Sequence, residues 1–96
     1  MDYEKCFLCG RNRNAGRLEV HHIFQNAYRD KADFFRLTVL LCPSCHREGP
    51  FAAHRNGQTM KYLHQYGQRK AMKEQGWTVK EFMEVFGQNY LDEECP

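Results

Sequence analysis

Apolar and polar positions divide the chain into a strand-forming front and a helical back. Arg17-Leu18-Glu19-Val20-His21-His22-Ile23-Phe24 and Arg36-Leu37-Thr38-Val39-Leu40-Leu41 are rich in β-branched and apolar residues and read as two strands. The polar stretch between them, residues 25–35, shows no period; a single helical turn over Lys31 to Phe35 is the most it suggests. Pro43 suits the first turn of a helix, so Ser44 to Glu48 is predicted to wind into one before Gly49-Pro50 interrupts it. Further on, Met60, Leu63, His64, Gly67, Ala71 and Met72 fall at helical spacing, and Gly76 is a natural stop. Thr78 followed three residues later by Glu81 forms a capping-box signature. Val79, Phe82, Met83 and Phe86 then make an apolar face that ends at Gly87. The fold class expected is α+β: a ββα core followed by two or three C-terminal helices.

Length narrows this picture. Ninety-six residues allow one domain with a modest core, which a covalent or metal staple would help. The expected division is a single domain over 1–96, with a core at 6–56, a helical extension at 57–91 and an acidic tail at 92–96. No run of eighteen apolar residues occurs, so no membrane segment is expected. The start, Met1-Asp2-Tyr3-Glu4-Lys5, lacks the apolar stretch of a signal peptide. The expected location is the cytoplasm, where disulfides are rare.

Charge adds a direction. The net value is only +2, but residues 1–73 carry 13 Lys/Arg against 6 Asp/Glu, and residues 74–96 carry one Lys against 6 Asp/Glu. A basic body of +7 joined to a tail of −5 fits a polyanionic partner such as DNA, and fits equally a domain that segregates charge for solubility.

The cysteines are more specific. Cys6-Phe7-Leu8-Cys9 and Cys42-Pro43-Ser44-Cys45 are two Cys-x-x-Cys pairs. Two residues between thiolates let both reach one ion, and two such pairs complete a closed tetrahedral zinc site. A redox motif needs only one pair. Cys95, beside the terminal Pro96, is left over as a bystander.

The histidines raise the question of chemistry. His21 and His22 are adjacent on a predicted strand, so their side chains leave on opposite faces and cannot both enter the core from one side. His46 directly follows the last zinc cysteine, and His54 lies eight residues further.

Taken together, Cys6-x-x-Cys9, Glu19-Val20-His21-His22-Ile23 and Leu41-Cys42-Pro43-Ser44-Cys45-His46-Arg47 resemble the HNH, or ββα-metal, endonucleases over about residues 6–47. Gly49-Pro50-Phe51-Ala52-Ala53-His54 with the helix after it is similar to small phage-encoded HNH proteins, including recombination-enhancement nucleases. The resemblance implies a metal-dependent endonuclease acting on DNA, a phage or prophage origin, and a recombination protein as partner. It implies that His21 and His46 bind a catalytic divalent cation (Mg²⁺, Mn²⁺, Ni²⁺ or Zn²⁺), with His54 as a further ligand, and that His22 is the general base. Cys6, Cys9, Cys42 and Cys45 would hold a separate structural zinc. One position departs from the pattern: the family usually carries an asparagine five residues before the third zinc cysteine, where it ties the loop that orients the base, and this chain has Leu37. Thr38 and Asn26 are the candidates to replace it.

The implied chemistry is sound on its own terms. A neutral imidazole can take a proton from water near neutral pH. A divalent ion held by two or three imidazoles keeps positions open for a phosphate. Arg47 and Arg29 are candidates to grip flanking phosphates, against the plainer role of solvated surface cations. His64, on the apolar face of its helix, reads better as a core histidine than as a ligand. Tyr62, Tyr66 and Trp77 are candidates for base stacking or for packing, and Lys61, Arg69, Lys70 and Lys73 for a nucleic-acid-facing or a merely solvated helix face. Two other functions fit the same chain: a zinc-stapled nucleic-acid-binding module without catalysis, which Leu37 favours, and a protein-interaction adaptor, which the acidic tail favours.

Overall fold

A computed structural model describes residues 5–10 and 18–91. Its elements are β1 (Glu19–His22), a 3₁₀ turn (Asn26–Tyr28), α1 (Arg29–Phe34), β2 (Thr38–Leu41), one wide turn (Ser44–Glu48), α2 (Gly57–Gln75) and α3 (Val79–Phe86). The chain is thus a small α+β fold. The strands β1 and β2 pair antiparallel, with Glu19 opposite Leu41, His21 opposite Val39 and His22 opposite Thr38. No helix among the described residues is long and apolar enough to cross a membrane. Arg17 and the tail at 92–96, including Cys95, lie outside the described residues.

Both strands are shorter than their apolar runs. Ile23 and Phe24 leave the ladder after His22 and are fully buried. On the other side, Arg36 takes a left-handed backbone with φ of 61°, which ends any extension before Leu37. The connection is more ordered than its polar sequence suggests. Instead of one turn at Lys31–Phe35, the 3₁₀ turn runs straight into α1. This six-residue helix has one buried side chain, Ala32, too few to leave a periodic signature. Tertiary bonds hold it: the Leu37 N–H donates to the Ala32 carbonyl at 2.7 Å, and Lys31 Nζ donates to the Val85 carbonyl of α3 at 3.1 Å.

The segment after Pro43 also differs from an ordinary helix. The Gly49 N–H donates to the Ser44 carbonyl at 2.9 Å, a five-residue reach that makes Ser44–Glu48 a single π-type turn. A Cβ at Gly49 would sit 2.8 Å from the Ser44 carbonyl oxygen, so only glycine closes this turn without displacement.

The C-terminal helices follow their sequence signals closely. Asn56 caps α2 by accepting from the Gln58 and Thr59 N–H groups. Gly76 ends α2 in a left-handed conformation. Thr78 and Glu81 form the predicted capping box of α3, which Gly87 ends. Leu63, Gly67 and Ala71 are the buried stripe of α2. At Gly67 the backbone of α2 comes so near β1's exit that a Cβ would meet Ile23 Cγ2 at 2.7 Å. Phe24, Leu37, Leu41, Leu63, Phe82 and Phe86 thereby share one core that underlies both ribbon and helices.

Candidate metal centres

The two Cys-x-x-Cys pairs meet. The Sγ atoms of Cys6, Cys9, Cys42 and Cys45 all lie within 4.8 Å of one another, and the described cysteines are free thiols. Cys9 Sγ and Cys42 Sγ are 3.8 Å apart. Four sulfurs at about 2.3 Å from one zinc ion stand about 3.8 Å apart along a tetrahedral edge, so the cluster has the size of a zinc site. The first pair sits on a tight knuckle tied to β2 by the Phe7 N–H bonding to the Leu40 carbonyl at 2.8 Å. The second pair follows β2 directly. Burial pushes the Cys6 thiol up, but N–H groups of Cys42, Cys9 and Leu8 outweigh it and bring the group down to about 6. Burial and the neighbouring sulfurs push the Cys45 thiol up instead. One thiolate is therefore supported by the backbone, while a full set of four calls for a cation. These four residues could hold one zinc ion.

A second cluster has a different construction. Its three imidazoles come from β1 (His21), the wide turn (His46) and the loop before α2 (His54), and each offers a nitrogen within 4.8 Å of the others. Ring centroids of His46 and His54 lie 5.2 and 5.1 Å from that of His21. The His54 N–H donates to the His46 carbonyl at 3.1 Å, which fixes the loop against the turn. His46 Nε2 and His54 Nε2 face each other at 3.2 Å. That spacing is close to the roughly 3.3 Å edge of a tetrahedron with about 2.0 Å metal–nitrogen bonds.

Hydrogen bonding sorts the ring nitrogens. His46 Nδ1 lies 2.7 Å from Glu19 Oε1. A carboxylate only accepts, so Nδ1–H donates and Nε2 keeps its lone pair for the cluster. Carboxylate–histidine pairs of this kind commonly orient metal ligands. His21 is the decisive member. It is 1% exposed, and neither of its ring nitrogens has a hydrogen-bond partner. A buried imidazole without partners is costly, and a cation bound among the three rings would satisfy it. Burial, then the nearby His46 and His54, lower His21 to about 4. Burial, His46 and Arg47 also lower His54. His21 and His54 thus both favour the neutral imidazole, the form that binds metal.

His22 lies in the same open cleft of about 440 Å³ as His21, His46 and His54, with Gln25, Asn26 and Arg29 also on its wall. The two neighbouring histidines therefore reach one cleft although the strand sends them different ways. His21 is buried, whereas the His22 side chain is 16% exposed. His22 Nε2 is 3.1 Å from Asp33 Oδ1 on α1, and the Gln25 side chain donates to the His22 carbonyl at 3.2 Å. Among the described residues neither Thr38 nor Asn26 bonds to the His22 ring, and Leu37 is a fully buried core residue. Asp33, and neither of those two residues, is the side chain bonded to the His22 ring. Arg29 stands on the cleft wall, while Arg47 is drawn to Glu19 Oε2 at 3.1 Å.

The remaining candidates lie elsewhere. His64 stacks on Phe24 at 5.4 Å and packs on Tyr90 at 4.4 Å, as a core histidine would. Tyr62, Tyr66, Arg69, Lys70 and Lys73 line a separate groove of about 600 Å³ along α2. Tyr66 there packs on Phe7 of the knuckle at 4.6 Å, and Lys70 bonds to Glu74 and the Arg36 carbonyl. Trp77 packs edge-on against Phe35.

Sequence reasoning missed two residues. Glu19 is two positions before His21, on the same face of β1, and that period-2 relation was available as a signal. Asp33 gave none, because the helix that carries it has no readable period. No protein-family model matches this chain, and no curated protein or solved structure is detectably similar to it.

Proposed function

We propose that the chain is a metal-dependent endonuclease of the ββα-metal (HNH) kind that hydrolyses phosphodiester bonds in DNA. The observation that carries this reading is the unpartnered, buried His21 ring, which faces His46 and His54 in a cleft that also holds His22. His21, His46 and His54 would hold a divalent cation, and Glu19 would orient His46. Such an ion, when bound, supplies positive charge for the phosphate and the leaving oxygen. His22 stays off the ligand set and serves as general base. Its ring takes one proton from a water molecule as the water oxygen bonds to phosphorus and the bond to the leaving oxygen breaks. Arg29, which lines the cleft, would hold a neighbouring phosphate. The four cysteines would hold a structural zinc that joins the knuckle to the turn carrying His46 and takes no part in the chemistry.

A second reading, a zinc-stapled nucleic-acid-binding module without catalysis, is favoured by Leu37 in place of the orienting asparagine. A plasmid-nicking assay separates the two. With Mg²⁺, Mn²⁺, Ni²⁺ or Zn²⁺ the wild type is expected to nick, and His22→Ala to bind DNA without nicking. Assays with and without a recombinase filament on the DNA test for a recombination-protein partner. A wild type that binds DNA but never nicks under any of these conditions establishes the module instead.

A further inference from the structure

We propose that Asp33 is the positioning residue that selects the tautomer of His22, in the role left vacant at Leu37. The inference rests on the reading of His22 as a general base. A base must present a lone pair to its water, and a neutral imidazole has only one. Asp33 Oδ1 lies 3.1 Å from His22 Nε2. Since the ionised carboxylate accepts, the proton resides on Nε2 and the lone pair is left on Nδ1, the ring's other nitrogen.

The backbone explains why the role moved. Leu37 is wholly buried, and its carbonyl accepts from the Ile23 N–H at 3.0 Å, next to His22. Its side chain is committed to the core and its carbonyl to the strand exit, so Leu37 has nothing to offer the ring. Asp33 stands one helical turn away on an anchored helix. Ala32, beside it, is buried, and the Asp33 carbonyl accepts from the Arg36 N–H at 3.0 Å. The Lys31 bond to the Val85 carbonyl ties the same helix to α3. The carboxylate is thus carried on a fixed support, although its side chain is 66% exposed.

That exposure separates positioning from stability. A single hydrogen bond to an exposed carboxylate contributes little to folding, so removing it should leave the fold and the metal centres intact. Asp33→Ala is expected to lower kcat for nicking roughly 10- to 100-fold, with KM, metal affinity and Tm unchanged. Asp33→Glu should recover part of the loss. A nitrogen-15 NMR spectrum of the imidazoles, with His22 assigned by its absence in His22→Ala, gives a readout that does not depend on cleavage. The wild type should show a hydrogen-bonded proton on Nε2 of His22, and Asp33→Ala should lose that signal. A wild-type His22 protonated on Nδ1 overturns the proposal, as does an Asp33→Ala protein with unchanged signal and unchanged kcat. If the NMR result is as expected but the wild type never cleaves, the endonuclease reading fails and the catalytic meaning of the bond goes with it.

Discussion

The cysteine and histidine clusters differ in how they are built, and the difference separates a closed set of side chains from an open one. The four cysteines come as two local pairs, and four sulfurs on one zinc ion would close a tetrahedron with no open position. The three histidines come from a strand, a turn and a loop, and on one ion they would leave a side open toward the cleft that contains His22 and Arg29. Backbone N–H groups support the thiolate of Cys6, whereas a side chain, Glu19, supports His46. A closed set backed by the main chain resists change. An open set backed by side chains can admit a ligand and can be tuned one residue at a time.

The sharpest way to break the comparison is to remove one ligand from each cluster. Cys42→Ser should abolish zinc at the cysteine site and unfold the knuckle and ribbon, because structural zinc is worth on the order of 10 kcal/mol in small zinc-folded peptides. Far-ultraviolet circular dichroism with zinc quantification reads this directly. Disulfides among the four cysteines in the isolated protein would refute the site altogether. At the histidine cluster, by contrast, the fold should survive. His21→Ala and His46→Ala should lower the affinity for the second ion, with partial recovery of nicking in excess metal. His22→Ala should keep the ion and lose about 10²- to 10⁴-fold in rate. Metal titration beside nicking rates tests this split, which fails if His22→Ala loses the ion while His21→Ala keeps it. His54→Ala should behave like His46→Ala.

Acid provides a smaller contrast. His21 takes a proton near 6.5 when unfolded but only near 4 in the fold. Between these values the unfolded chain binds more protons, so stability falls as pH drops through that window. Between pH 7 and 5.5 this amounts to about 1 kcal/mol for protein without the second ion. Urea unfolding at the two pH values should show at least that slope, and His21→Leu should show a shallower one. His54 and His64 are lowered as well and contribute in the same direction to both proteins.

The most local contrast lies one bond out from the proposed ligands. Glu19→Gln should weaken the second ion roughly 10- to 100-fold while leaving zinc at the cysteines unchanged. Calorimetric titration of the zinc-loaded protein distinguishes this from a general loss of structure, which would affect both clusters.

Local chemistry made much of the molecule legible in its sequence. The Cys-x-x-Cys spacing named the sulfur cluster because thiols with two residues between them meet on a tight turn. Asn and Gly signals, the Thr78–Glu81 capping box and the apolar stripes of α2 and α3 act within one or two helical turns, so they could be read without neighbours. What only tertiary structure decided was position across the chain. The gathering of His21, His46 and His54 depends on a π-type turn closed at Gly49 and on a loop tied back to it. The Asp33 contact depends on α1, a helix too short to show a period and held by bonds to β2's approach and to α3. The shortening of both strands depends on where Ile23 and Phe24 must turn to enter the core beneath Gly67. Spacing along a chain determines which ligands are neighbours within one turn; only packing determines which distant side chains share a cleft.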